Sequence, residues 1–180
     1  LQVVPSGPFG KWRTLLQADS YAIANARRRI WIETPYFLPS DVLNTALQTA
    51  ALAGIDVRLL LPARSDSRVV DLATHSFLDD MLKAGAKVYF YQPGFLHSKL
   101  LLIDDELTVI GSANMDFRSF EHNFEINAFV YDGDFAAEMA AIRPPMPPPT
   151  TRTSASIQFL TGIISGPPSG YGKWMHQCTA

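Results

Sequence analysis

The stretch from His97 to Glu125, HSKLLLIDDELTVIGSANMDFRSFEHNFE, gathers an imidazole, an ammonium, hydroxyl and amide donors and a carboxylate on segments that should be neighbours. Near neutral pH an imidazole is the side chain best poised to be a nucleophile or proton shuttle. Lys99 beside His97 supplies a fixed positive charge for non-bridging phosphoryl oxygens. Gly111 lets backbone approach a ligand closely, and Ser112 and Asn114 offer short, stiff donors. Glu125, accepting from the far ring nitrogen of His97, would fix its tautomer and stabilise the imidazolium. Together these groups suit binding and attack of a phosphodiester. Each also has a plainer reading, GSxN as a turn and Glu125 as a strand-edge carboxylate.

Positioning these residues requires a hairpin and a neighbouring strand. The apolar runs 100–103 and 107–110 flank Asp104, Asp105 and Glu106, the pattern of a β-hairpin with an acidic turn. His97 and Lys99, at i and i+2, then share a face. Asp104 lies seven residues from His97, on the order of 23 Å along an extended strand. It cannot touch the same phosphate and is expected to close the turn through local hydrogen bonds. Residues 124–131 read as a strand beside the hairpin that brings Glu125 to His97. A Lys two residues from the His disfavours a dication there, so no metal is expected.

The rest alternates helix and strand. Residues 11–28 place Trp12, Leu15, Leu16, Ala22, Ile23 and Ala26 at helical spacing. Arg27 to Arg29 then read either as a solvated helix end or as a phosphate patch. Strand 29–34 stops at Pro35. Tyr36 and Phe37 follow it, either as packing residues or as the lining of a lipid entrance. Ser40 caps a helix to Gly54, and 56–61 is a buried strand ended by Pro62. A helix over 68–84 carries His75 and Asp79 one turn apart, a surface contact or a reactive pair. Strand 88–91 and helix 134–142 complete an α/β/α sandwich with a mixed, mostly parallel sheet containing the hairpin.

At 180 residues and 47% hydrophobic content, the chain is long enough for one sizeable core. Fifteen basic against 17 acidic residues leave no electrostatic footprint for nucleic acid. The single cysteine, Cys178, excludes an intrachain disulfide. No apolar run reaches the roughly 18 residues of a spanning helix. From Pro144 the Pro/Gly/Ser-rich composition loses all periodicity. The expected organisation is a catalytic unit over 1–143 and an atypical tail over 144–180, disordered or foreign to the fold.

His97-x-Lys99-x4-Asp104, Gly111-Ser112-x-Asn114, Asp116-x-Arg118-Ser119 and Asn123-Phe124-Glu125-x-Asn127 resemble the HKD signature of the phospholipase D superfamily, in the form found in bacterial cardiolipin synthases. Upstream, Pro5-Ser6-Gly7-Pro8, Thr34-Pro35-Tyr36-Phe37-x-Pro39 and Gly54-Ile55-Asp56-Val57-Arg58 resemble the second catalytic half of that family. The resemblance implies a site of His97, Lys99, Asp104, Asn114 and Glu125. His97 is then one of two histidines, one forming a phosphohistidine while the other protonates the leaving alcohol. Lys99 and Asn114, assisted by Ser112, hold phosphoryl oxygens, Glu125 orients His97 and Asp104 is structural. Neither cofactor nor metal is implied.

The implied reaction moves a phosphatidyl group between phosphatidylglycerol molecules at the cytoplasmic side of the bacterial inner membrane. His75, His122 and His176 lack a Lys two positions on, so one HKD motif is present. The chain is therefore expected to be a C-terminal half, inactive alone, whose partner is a second HKD half or another copy of itself. The alternatives are a single-motif phosphodiesterase or nuclease working as a homodimer, and a non-catalytic remnant or interaction module.

Overall fold

The computed structural model describes residues 1–92, 94–142 and 175–178. The described strands are β1 (Gln2–Ser6), β2 (Arg29–Glu33), β3 (Phe37–Leu38), β4 (Asp56–Pro62), β5 (Lys87–Tyr91), β6 (Leu100–Ile103), β7 (Leu107–Gly111), β8 (Met115–Asp116), β9 (Glu125–Tyr131) and β10 (Met175–Cys178). The helices are α1 (Thr14–Ala24), α2 (Asp41–Leu52), α3 (Arg68–Lys83), α4 (Phe117–Glu121) and α5 (Gly133–Ile142). Eight strands form one sheet in the order β1-β9-β7-β6-β2-β4-β5-β10, and β3 pairs with β8 apart from it.

Period-2 and continuous apolar runs produce the central strands, and helical spacing produces the covering layers. Leu15, Leu16 and Ile23 of α1, Leu43 and Leu47 of α2, and Leu78 and Met81 of α3 pack on Ile30, Ile32, Leu59, Leu101 and Phe129 of the sheet. On the opposite face Ala136 of α5 meets Leu100 and Leu102. Each large side chain so buried contributes about 1.5–3 kcal/mol. That burial, rather than capping, holds the helices, since neither Ser40 nor Ser67 makes a side-chain cap bond at the start of α2 or α3.

Gly54 ends α2 at φ +87°. Its amide donates to the Ala51 carbonyl and that of Ile55 to Ala50, both at 3.0 Å, the paired bonds that a left-handed glycine permits after a helix.

The sheet is mixed, but the expected parallel majority is not found. Only the block β2-β4-β5 runs parallel, whereas β1-β9, β9-β7, β7-β6, β6-β2 and β5-β10 are antiparallel. The hairpin sets this outcome, because β6 enters antiparallel to β2 and every strand laid beyond it alternates. The helix expected from residue 11 begins at Thr14, leaving Trp12 60% exposed outside the apolar stripe. Within the tail, Met175–Cys178 adds an edge strand to β5; residues 143–174 and 179–180 lie outside the described residues.

Candidate active site

Strand register gathers the candidate side chains at one end of the sheet. Glu33 at the end of β2 faces Leu100 at the start of β6, Leu100 faces Ile110, and Gly111 at the end of β7 faces Asn127 of β9. The residues just beyond that row are His97 and Lys99 before β6, Ser112 and Asn114 after β7, and Glu125 opening β9.

Lys99 Nζ donates to the His97 carbonyl at 2.8 Å. The exposed His97 ring lies against Phe95, centroids 5.6 Å apart, and Phe95 against Tyr36 at 6.5 Å. The Tyr36 hydroxyl donates to Asp66 at 2.9 Å. The pair after β2 thus divides, with Tyr36 at this mouth and Phe37 fully buried in the core. Burial lowers the Lys99 ammonium below its usual pKa, against the opposing pull of the Glu125 and Asp116 carboxylates. An ammonium partly stripped of water and facing carboxylates is suited to gripping an anion.

Glu125 does not reach His97. Its strand lies beyond β7, two positions from β6, on the order of 10 Å away at ordinary strand spacing. Its carboxylate instead accepts from the Ser112 hydroxyl and from Asn123 Nδ2 at 3.1 Å. The Ser112 oxygen also accepts the Ile126 amide at 3.0 Å. The expected orienting contact is therefore replaced by a Ser112–Glu125 pair whose charge acts on Lys99.

Asn114 is held from both ends. Its amide N–H donates to Ser119 Oγ at 3.1 Å and its Nδ2 to Asp116 at 3.3 Å, while its buried Oδ1 has no partner among the described residues. Asp116 also accepts the Ser119 amide at 2.7 Å, capping α4. Asp116 thus ties Asn114 to Lys99. The D-x-x-S spacing at a helix start was the signal for this residue, to which no role was assigned from sequence.

Two further residues set the approach of β7 to β9. A Cβ on Gly111 would fall against Asn127 Oδ1 and the Ile126 carbonyl. The same Oδ1 accepts the Ala113 amide at 3.2 Å. Close backbone approach requires glycine there, and buried Asn127 carries the turn that presents Ser112 and Asn114.

Asp104 stands at the opposite end of β6, in the hairpin turn at φ +53°. Its carboxylate accepts the backbone amides of Arg27, Arg28 and Arg29 at 3.1, 2.7 and 3.0 Å. The bonds are long-range, not the local turn bonds expected. Burial pushes its pKa up, but the three amides prevail and hold it below the usual value. Arg28 and Arg29 pair with Asp105, so the arginine run is engaged at this distant end. Lys99, Ser112, Asn114 and Glu125 converge; Asp104 does not join them.

Residues 20–142 match the family model described as the cardiolipin synthase, PLD-like domain. Over 134 residues the chain is 53% identical to cardiolipin synthase 2 of Bacillus cereus, covering 74% of this chain and 26% of that protein. It is 45% identical over 141 residues to the major cardiolipin synthase ClsA of Bacillus subtilis, covering 78% and 29%. The chain thus spans between a quarter and a third of these relatives' length.

In fold it is similar to Nuc, a phospholipase D family member from Salmonella typhimurium (TM-score 0.65, 20% identity, 78% of this chain and 90% of that one). It is also similar to phosphatidylserine synthase from Haemophilus influenzae (TM-score 0.60, 17% identity, 77% and 37%). The chain belongs to the family of phospholipase D-like domains of cardiolipin synthases.

Proposed function

We propose that this domain supplies one of the two HKD motifs of a phosphatidyltransferase of the cardiolipin synthase type. One of the two motif imidazoles, that of His97 or its counterpart, attacks the phosphorus of phosphatidylglycerol, forming an N–P bond as the bond to the glycerol oxygen breaks. The other imidazole gives its proton to that oxygen, releasing glycerol. A hydroxyl of a second phosphatidylglycerol, deprotonated by that same other imidazole, then displaces the nucleophilic histidine from phosphorus and yields cardiolipin. Lys99 and Asn114, with Ser112, hold the non-bridging oxygens as charge develops. Glu125 acts through Ser112 and its field on Lys99, and Asp104 secures the hairpin.

The observation that carries this reading is the convergence of Lys99, Ser112, Asn114 and Glu125 beside His97 at one end of β6, β7 and β9. Phospholipid is the substrate and a membrane surface the workplace. Among the described residues no helix is long and apolar enough to cross a membrane. Residues 1–143 are proposed as the catalytic unit, with the tail 144–180 attached to it through the Met175–Cys178 edge strand. In the complete two-motif enzyme, His97→Ala and Lys99→Ala should each remove most conversion of labelled phosphatidylglycerol while thermal unfolding stays near wild type. Rates near wild type in either variant would overturn the assignment.

A homodimer of single-motif chains is the second reading, favoured by the 90% coverage of the Nuc chain. A dimer by sedimentation that turns over a phosphodiester without any second half would establish it.

A further inference from the structure

Helix α1 carries a carboxyl that the mechanism above does not use. Asp19 is 3% exposed and, among the described residues, makes no hydrogen bond or ion pair; its Oδ1 is buried without a partner. It borders a cavity of about 20 Å³ whose other polar lining residues are Glu33, Thr34, Lys99 and Asn127, with Leu101 and Met115 beside them. That is room for one water molecule, which needs two to four polar partners. The Thr34 hydroxyl is engaged with the Tyr36 carbonyl and the Met115 amide, at 2.9 and 3.2 Å. Asn127 commits its Oδ1 to Ala113, which leaves its amide nitrogen as a donor.

A buried carboxyl without partners costs folding stability. Asp19 neither caps α1 nor closes a turn. Its side chain borders the cavity that Lys99 also lines. Burial pushes its pKa up to about 7, so it is about half protonated at neutral pH and a neutral acid with a proton to donate below it. In the neutral form it does not neutralise Lys99.

We propose that Asp19 is a positioning residue for Lys99, closing the cavity beneath it and, through one water shared with Asn127, keeping the ammonium turned toward the phosphate instead of drawn into the sheet. This rests on the reading of Lys99 as a phosphoryl ligand. Asparagine, equally neutral and nearly isosteric, preserves the arrangement. Leucine fills the space and removes the polar contact.

The test is titration of the 180-residue chain with inorganic phosphate, followed by NMR at the Lys99 side chain, for wild type, Asp19→Asn, Asp19→Leu and Lys99→Ala. Asp19→Leu should raise the melting temperature yet weaken phosphate binding about tenfold, the loss of one well-placed polar contact. Asp19→Asn should bind within about twofold of wild type. If Asp19→Leu binds as wild type while Lys99→Ala does not, the Asp19 inference is overturned and the Lys99 reading stands. If Lys99→Ala itself binds as wild type, that reading falls first. Should Asp19→Leu not fold, Asp19→Ala, which also removes the polar contact, decides: it should weaken phosphate binding as leucine would, and binding within about twofold of wild type in folded Asp19→Ala would overturn the proposal.

Discussion

Among single residues, Asp104 separates motif membership from chemistry. It belongs to the HKD pattern, yet its carboxylate spends its lone pairs on three amides at the start of β2. Asp104→Ala leaves those amides unpaired and puts alanine at positive φ, and should cost about 3 kcal/mol in chemical denaturation. Asp104→Asn tolerates the conformation but loses the charge and should cost about half as much. In both, turnover per folded enzyme should stay close to wild type. A fully folded variant slowed about a hundredfold would place Asp104 in the reaction.

The two displaced carboxyls titrate in opposite senses. The Asp104 pKa is held below its ordinary 3.8, so its contribution is present above that value and lost as pH falls through the lower folded pKa. Asp19 is raised from 3.8 to about 7, so its contribution is full below 3.8 and lost as pH rises toward 7. Asp19→Asn should therefore flatten the stability profile between those values, as urea midpoints measured across pH would reveal. His97, Lys99 and the Gly111–Asn114 turn are legible in sequence because their types and spacing state their chemistry. The partner of Glu125 is not, because which strand lies next to β6 is decided by long-range pairing.

At the scale of elements, the β7–β9 pairing decides how Ser112 and Asn114, the proposed phosphate donors, are presented. Gly111→Ala drives a Cβ into Asn127 and the Ile126 carbonyl and should cost about 1–3 kcal/mol. It should also pry the Ser112 hydroxyl from Glu125, visible as a shift of the Ser112 amide resonance. An unmoved Ser112 in a stable Gly111→Ala chain would refute this. Strong apolar periodicity makes β2, β4, the hairpin and the long helices readable from sequence. The five-residue β1, interrupted by Pro5, and the two-residue β3 and β8 carry too little pattern. They exist because tertiary partners supply their hydrogen bonds. Overlooking β1, and the antiparallel alternation that the hairpin imposes, produced the expectation of a mostly parallel sheet.

Across the whole molecule, the rim of the site is apolar. Phe9 and Phe124 are 89% and 74% exposed and pack on each other at 5.9 Å, Ile126 and Ile110 are exposed nearby in the sheet, and Gly7 lies under the Phe124 ring. Such a patch next to half a site is the surface on which a second HKD half is proposed to dock. Phe124→Ser should leave the domain's own stability within about 0.5 kcal/mol while weakening association with that half at least about tenfold by sedimentation velocity. Undiminished association would remove this face from the interface.

The bonds from Arg27, Arg28 and Arg29 to Asp104 also bear on the order in which the protein matures. They join residues 75 to 77 positions apart, so as the chain leaves the ribosome β2 emerges with three amides still waiting for their acceptor. The hairpin cannot lock until most of the domain has been synthesised. Until then the apolar faces of β2 and β4 have α1 and α2 to pack against, whereas the segment that carries His97 has no completed sheet to lead into.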